Sequence, residues 1–398
     1  MNKNLNQLQP YPFEKLRALL ESTNPDTTKS SIALSIGEPK HTSPAFVLKA
    51  VADNLDKLAN YPATLGIPEL RVTIAQWLQQ RFSLTAIDAH TQVLPVNGTR
   101  EALFAFAQTV VTPVPGATVI SPNPFYQIYE GAALMAGATP DFLNCTAENG
   151  FVPDFDAVTE QQWQNCQLLY LCTPGNPTGA VIPTTTLQRL ITLAEQYDFV
   201  IASDECYSEI YPDENNPPPG LLQACAEMGD SDYRNCVVFH SLSKRSNLPG
   251  LRSGFVAGDA QILANFLKYR TYHGCAMPLH HQLASIAAWS DEQHVRENRQ
   301  LYRDKFSAVV AKLSGHMEVS APEAGFYLWP KTPIADTDFA RLLYEQEHVT
   351  VLPGRFLGRD VGGVNPGENR VRMALVAPLS DCIEAADRIV SAVKRLGV

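Results

Sequence analysis

The chain has 398 residues, 45% hydrophobic and 18% charged, with 41 acidic against 31 basic side chains and a formal net charge of −10. That length is too great for one simple core and suits two structural domains. The acidic balance, with no long Lys/Arg run, disfavours a nucleic-acid or anionic-membrane partner, though it leaves room for a local basic pocket.

In chain order, the N-terminal stretch MNKNLNQLQPYPFEKL has no apolar run of the kind a signal peptide needs. No later segment approaches the ~18 consecutive apolar residues of a membrane span. Short apolar runs that stop at polar or Gly/Pro residues predict strands over Ala117–Ser121, Gln167–Cys172, Phe199–Ser203, Val237–His240 and Gly254–Ala257. The spacing over Thr184–Tyr197 predicts a helix between the second and third of these. Strand, helix, strand implies a parallel sheet with helices on its faces, whose ligands sit at the carboxyl ends of the strands. Pro212–Gly220 reads as a mobile Pro-rich surface connector. After about His280 the pattern changes. A long charged helix is expected over Gln282–Leu313, then a strand around Gly325–Trp329, a helix around Asp338–Glu347, a strand over Arg370–Val376 and a last helix from Ser380. This reads as a smaller α+β domain.

Cys145, Cys166, Cys172, Cys206, Cys225, Cys236, Cys275 and Cys382 form no CxxC pair, and several lie in apolar runs. They read as free thiols in a reducing cytoplasm. His280 and His281 are adjacent, share no helix face and have no carboxylate or cysteine at ligand spacing, so no metal is expected.

Polar residues gather at the predicted strand ends. Lys244 lies in SLSKRSNLPGLRSGF, just past a strand, where Ser241, Ser243 and Arg252 can all donate to a phosphate. Asp204 closes the strand in FVIASDECY and can project into the ligand crevice, although alone it is more often a helix cap. Tyr207 follows three residues on. Asn176 sits in TPGNPTG, by itself simply a good turn. Gly98, Thr99 and Arg100 open the helical run EALFAFAQ, where backbone N–H groups bind phosphate. Tyr126 in NPFYQIYEG can stack on a flat ring, with Tyr129 a competitor. Arg372, in ENRVRMALV, alternates onto one face with Arg370.

Together these residues meet the needs of pyridoxal 5'-phosphate: a lysine to hold it covalently, a carboxylate for the pyridine nitrogen, phosphate donors, a stacking ring, donors to O3′ from Tyr207 and Asn176, and an arginine for an amino acid's α-carboxylate. The chain resembles the class I/II, fold-type I aminotransferases along nearly its whole length, the lysine signature most of all. The resemblance implies an α/β fold, with a mostly parallel central sheet in a large domain and a smaller α+β domain. The expected division is an N-terminal segment 1–44 packing with the small domain, a cofactor-binding domain 45–281 and a small domain 282–398. It implies that Lys244, Asp204 and Tyr207 are catalytic. Asn176, Tyr126, Gly98, Thr99, Arg100, Ser241, Ser243 and Arg252 would hold the cofactor. Arg372, Gly37 of SIGEP and Asn176 would bind substrate. Tyr61 of NYPATLGIPELR would reach the phosphate of a partner subunit, which implies a homodimer with shared active sites. One departure is Ser253, where the family usually has an aliphatic residue or alanine.

LQPYPFEKLRALL, SKRSNLPGLRSGFVAGD and RTYHGCAMPLHHQLASIAAWSDEQHVRENR are similar to one branch, the bacterial succinyldiaminopimelate aminotransferases of lysine biosynthesis. That branch implies glutamate as donor and N-succinyl-2-amino-6-oxoheptanedioate as partner substrate. Arg245, Arg355 and Arg359 are candidates for its distal carboxylates. Other readings are an aminotransferase of aspartate, aromatic or acylornithine type, or a C–S β-lyase of the same fold. A DNA-binding regulator built on this fold needs a basic helix-turn-helix region, which is not seen in this acidic chain.

Overall fold

The computed structural model describes residues 1–397. Seven strands build the main sheet: β1 (Val93–Val96), β2 (Thr118–Asn123), β3 (Thr139–Asn144), β4 (Cys166–Cys172), β5 (Val200–Asp204), β6 (Cys236–Ser241) and β7 (Gly254–Gly258). Their spatial order is β1-β7-β6-β5-β4-β2-β3. All run parallel except β7, which is antiparallel to both of its neighbours.

The central strands are apolar on both faces because helices cover both faces. Leu169, Leu171, Ile201 and Val238 enter one core with Ile74, Leu187 and Trp289. The alternate residues Leu168, Tyr170, Ala202 and Val237 enter the other with Leu103, Phe106 and Phe266. The parallel register pairs Cys172 with Asp204, while β6 ends at Ser241 opposite Gly254 and β1 ends at Val96 opposite the same glycine. The carboxyl ends of β1, β4, β5 and β6 therefore lie along one edge.

The second layer holds a three-stranded antiparallel sheet of Leu352–Pro353, Val371–Ala374 and Tyr327–Leu328. Helices Gln293–Leu313, Asp336–Glu347 and Leu379–Leu396 pack on it through Val309, Leu313, Phe339, Leu343 and Ile389. Ile32–Ala33 pairs in parallel with Val349–Thr350, so the N-terminal segment joins this layer.

The single helix expected over Gln282–Leu313 is two, Leu279–Trp289 and Gln293–Leu313. The break has a local cause. Asp291 Oδ1 accepts the His294 N–H at 2.9 Å in the first turn of the second helix, and Glu292 turns away to take the Trp77 indole N–H at 3.0 Å. The Pro-rich loop is also tied down more than its composition suggests: Glu214 pairs with Arg299 at 2.8 Å and with Arg303, and Arg81 donates to Pro218 O at 3.1 Å. No helix among the described residues is long and apolar enough to cross a membrane.

Candidate functional site

A cavity of about 620 Å³ opens where the strand ends meet the second layer. Its walls include every cofactor or substrate position expected from the sequence except Gly98 and Tyr61.

One end is built for an anion. β1 runs into Gly98, whose φ of +82° caps the helix Thr99–Val110. A Cβ at Gly98 would stand 2.3 Å from Arg252 Nη2, so only glycine lets that guanidinium approach the helix start. Ser241 ends β6, and its Oγ accepts the Ser243 N–H at 3.1 Å and lies 2.9 Å from Ser243 Oγ. Hydroxyls, a guanidinium and a helix N-terminus thus converge without a carboxylate among them, the donor set that suits a phosphate dianion.

The floor carries Asp204, buried at 5% exposure. Tyr129 donates to its Oδ2 at 2.8 Å, and the Cys206 N–H to its Oδ1 at 3.3 Å. Burial raises the Asp204 pKa, and these hydrogen bonds oppose the rise. A cation in the cavity would hold this carboxylate ionised, as a protonated pyridine nitrogen does. Tyr126 faces the cavity while Tyr129 does not; Tyr129 is fully buried and stacks on Tyr170 at 4.8 Å. The two tyrosines thus differ in place: Tyr126 is on the cavity wall, and Tyr129 lies beneath it as a support of Asp204.

At the other end, Lys244 Nζ donates to Gly37 O at 2.6 Å. Burial, with Arg372 and Arg252 nearby, pushes its amine down to about 8. Arg372 is buried over the Tyr327 ring at 4.5 Å; its Nη1 donates to Asn176 Oδ1 at 3.1 Å and its Nη2 to Ser35 O at 2.8 Å. Its Nε is buried with no partner. With its carbonyl oxygen taken by Arg372, Asn176 keeps its NH₂ as a donor to other acceptors. Tyr207 and Tyr327 share a hydroxyl contact of 2.9 Å, and Tyr327 Oη packs so closely on Gly37 that a Cβ there would be 2.1 Å away. A lysine amine, a carboxylate floor, an anion cradle and a buried arginine around one cavity are groups that fit pyridoxal 5'-phosphate together with an amino acid.

Several expectations need correcting. Arg245, Arg355 and Arg359 do not reach the cavity. Arg245 is buried against Glu292 and the Ala288 carbonyl, Arg355 pairs with Asp336 at 2.7 Å, and Arg359 pairs with Glu130. Their charges are used by carboxylates that lie 19, 47 and 229 residues away in sequence. Arg370 turns out of the cavity, onto the Phe151 ring and toward Glu318. Arg100 lines the cavity, lies over the Tyr11 ring at 5.4 Å and has no carboxylate partner among the described residues. Tyr61 is fully exposed in this chain. Ser253 Oγ lies 2.7 Å from Ser285 Oγ, so its hydroxyl is satisfied where an aliphatic side chain would pack.

The sequence reading missed Tyr129 as the support of Asp204, and Tyr327, Tyr11, Phe13 and Cys206 as walls. Tyr129 carried a usable signal, a second tyrosine three residues beyond Tyr126. The others had none beyond their general patterning.

Residues 29–389 match the family described as aminotransferase class I and II. The LL-diaminopimelate aminotransferase of Nitratidesulfovibrio vulgaris (strain DP4) is 31% identical, with 96% of each chain covered. An aminotransferase from Neisseria meningitidis Z2491 superposes with a TM-score of 0.95 at 49% identity, covering 98% of this chain and 99% of that one. A probable N-succinyldiaminopimelate aminotransferase from Thermus thermophilus superposes with a TM-score of 0.83 at 26% identity, covering 96% and 98%.

Proposed function

Since the chain belongs to the class I and II aminotransferases, which use pyridoxal 5'-phosphate, we propose that it transfers an amino group between glutamate and N-succinyl-2-amino-6-oxoheptanedioate. The observation that carries the reaction is the single cavity in which the Lys244 amine and the Arg372 guanidinium face the same space. The cofactor, when bound, supplies an electron sink for the bond broken at the substrate Cα. Arg372 and the Gly37 backbone bind the α-carboxylate, with Arg372 held by Ser35 and Asn176. The Lys244 amine would take the Cα proton, and burial that lowers it to about 8 leaves it partly free base at physiological pH. With the cofactor bound, Asp204 would face the ring nitrogen, Tyr207 and Asn176 would donate to O3′, Tyr126 would stack on the ring, and Gly98, Thr99, Arg100, Ser241, Ser243 and Arg252 would hold the phosphate.

The substrate reading rests on the branch resemblance and on the names of two relatives, both of which contain the diaminopimelate skeleton. Among the three arginines on the cavity wall, Arg372 takes the α-carboxylate and Arg252 and Arg100 serve the phosphate; Arg100, which has no carboxylate partner among the described residues, is the one that can also extend to a distal carboxylate. The curated relatives favour a second reading, free LL-diaminopimelate as the amino donor to 2-oxoglutarate. The deciding experiment measures kcat/KM for the succinylated substrate, LL-diaminopimelate, oxaloacetate, aromatic oxo acids and N-acetylglutamate semialdehyde. A competitor that exceeds the succinylated compound overturns the substrate reading and leaves the aminotransferase standing. Release of pyruvate and a thiol from a cysteine conjugate would instead indicate a β-lyase.

A homodimer with shared sites completes the proposal, with Tyr61 reaching the partner's phosphate. Its full exposure outside this chain's cavity supports that placement. Sedimentation of the holoenzyme as a monomer would refute it.

A further inference from the structure

Between Leu34 and Pro44 the chain crosses from the second layer to the main-sheet domain with no strand or helix of its own. Upstream it is well held: Leu34 N–H donates to Thr350 O at 2.8 Å, the Leu34 carbonyl accepts the Ala374 N–H at 2.7 Å, and Ser35 O accepts from Arg372. Gly37 then offers its carbonyl to Lys244. Downstream of Gly37, the described hydrogen bonds that hold this strap come from two side chains, His41 and Ser43.

His41 is held on both ring nitrogens. Its Nδ1 lies 2.7 Å from Asn298 Oδ1, and its Nε2 lies 2.6 Å from Lys305 Nζ. Asn298 Oδ1 also accepts from Asn247 Nδ2 at 3.0 Å, and Asn298 Nδ2 donates to the carbonyls of Lys244 at 3.3 Å and Arg245 at 3.4 Å. That pattern sets the amide's orientation, so His41 Nδ1 carries the proton and Nε2 accepts from Lys305. Lys305 is 2% exposed, and its other acceptor is Val376 O at 3.4 Å, just past the strand that carries Arg372. Its amine has no carboxylate partner among the described residues.

A buried ammonium without a counter-charge is costly, and a methionine would fill the same space without that cost. The contact the amine makes is therefore what distinguishes lysine here. We propose that Lys305 and His41 are positioning residues: they fasten the strap on the far side of Gly37 and so hold its carbonyl and backbone against Lys244 and the substrate α-carboxylate. This rests on the reading of Lys244 and Gly37 given above. Through Asn298 the same relay reaches the carbonyl of Lys244, so both partners of the Lys244–Gly37 contact are tied to one buried cluster.

The test compares Lys305→Met and His41→Asn, the latter keeping a donor toward Asn298 but losing the acceptor for Lys305. Amide hydrogen exchange at Gly37, Glu38 and Lys40 is expected to rise about tenfold in both, with β4, β5 and β6 unchanged. KM for L-glutamate is expected to rise about fivefold while kcat stays within about twofold, and the double variant is expected to be no worse than either single one. Exchange that rises uniformly through the sheet, or a lower Tm with strap exchange and KM unchanged, would reduce both residues to structural packing and overturn the proposal. If Lys305→Met fails to fold, His41→Asn decides alone, since it leaves the helix core intact. The exchange measurement needs no substrate, and an error in the Lys244 reading shows separately, as reduced cofactor attached to another lysine.

Discussion

Asp204→Ala tests the electronic core of the proposal. The carboxylate is buried and accepts two described donors, the Tyr129 hydroxyl at 2.8 Å and the Cys206 N–H at 3.3 Å, with its remaining capacity facing the cavity. Opposite the protonated ring nitrogen of a bound cofactor it would stabilise a cation that otherwise loses its proton. For unit charges about 4 Å apart at an effective dielectric near 20, that interaction is worth roughly 4 kcal/mol. Spread fully into the barrier, this is about a thousandfold in rate. The variant should still bind cofactor through Lys244 and the anion cradle. Single-turnover reaction with glutamate, followed by the change in cofactor absorbance, separates chemistry from binding. A loss of less than about tenfold, roughly 1.4 kcal/mol, would mean that Asp204 does not hold this role. The same burial makes an independent prediction for cofactor-free protein. The Asp204 pKa is raised in the fold, so folding takes up a proton and stability falls as pH climbs from the ordinary carboxylate range through the raised value. Asp204→Asn removes that penalty and should unfold at a higher temperature than the parent at pH 7, with the difference vanishing in acid.

Tyr129→Phe removes one hydrogen bond to the same carboxylate and should cost about 1–2 kcal/mol of transition-state stabilisation, some tenfold in kcat, far less than Asp204→Ala; equal losses would contradict a supporting role. Recapture of pyridoxal phosphate by cofactor-free enzyme needs the neutral Lys244 amine, so its rate should rise with pH and level off above about 8, and a rise continuing toward the ordinary lysine range would show that burial does not act on this amine. Borohydride reduction should fix the cofactor on Lys244, checked by peptide mass spectrometry. Arg372→Lys replaces a two-pronged contact with a point charge and should raise KM for all amino and oxo acids together by about tenfold or more; unchanged kinetics would move the α-carboxylate site elsewhere.

Much of the site was legible in the sequence because its residues sit at strand ends, and strand ends are marked locally. An apolar run that stops at Asp204, or at Ser241 ahead of Lys244, carries its own punctuation, and five of the seven sheet strands were visible that way. The helix Thr184–Tyr197 followed from its period alone. Strand direction is another matter. A short apolar run reads the same both ways, so only the tertiary pairing shows that β7 turns back against β6 and β1. The same limit governs which charges are free. Arg245, Arg355 and Arg359 looked available because nothing in their neighbourhoods said otherwise. Glu292 lies 47 residues from Arg245 and Glu130 lies 229 from Arg359, and only the packed fold brings those charges together. Tyr129 and Tyr126 differ for a similar reason: one ring is drawn into the core by Tyr170 and Asp204, the other left at the cavity wall. Local pattern determines what a segment becomes and which residue types stand at its ends; the long-range packing of those segments decides which groups are consumed in holding the fold and which remain to act.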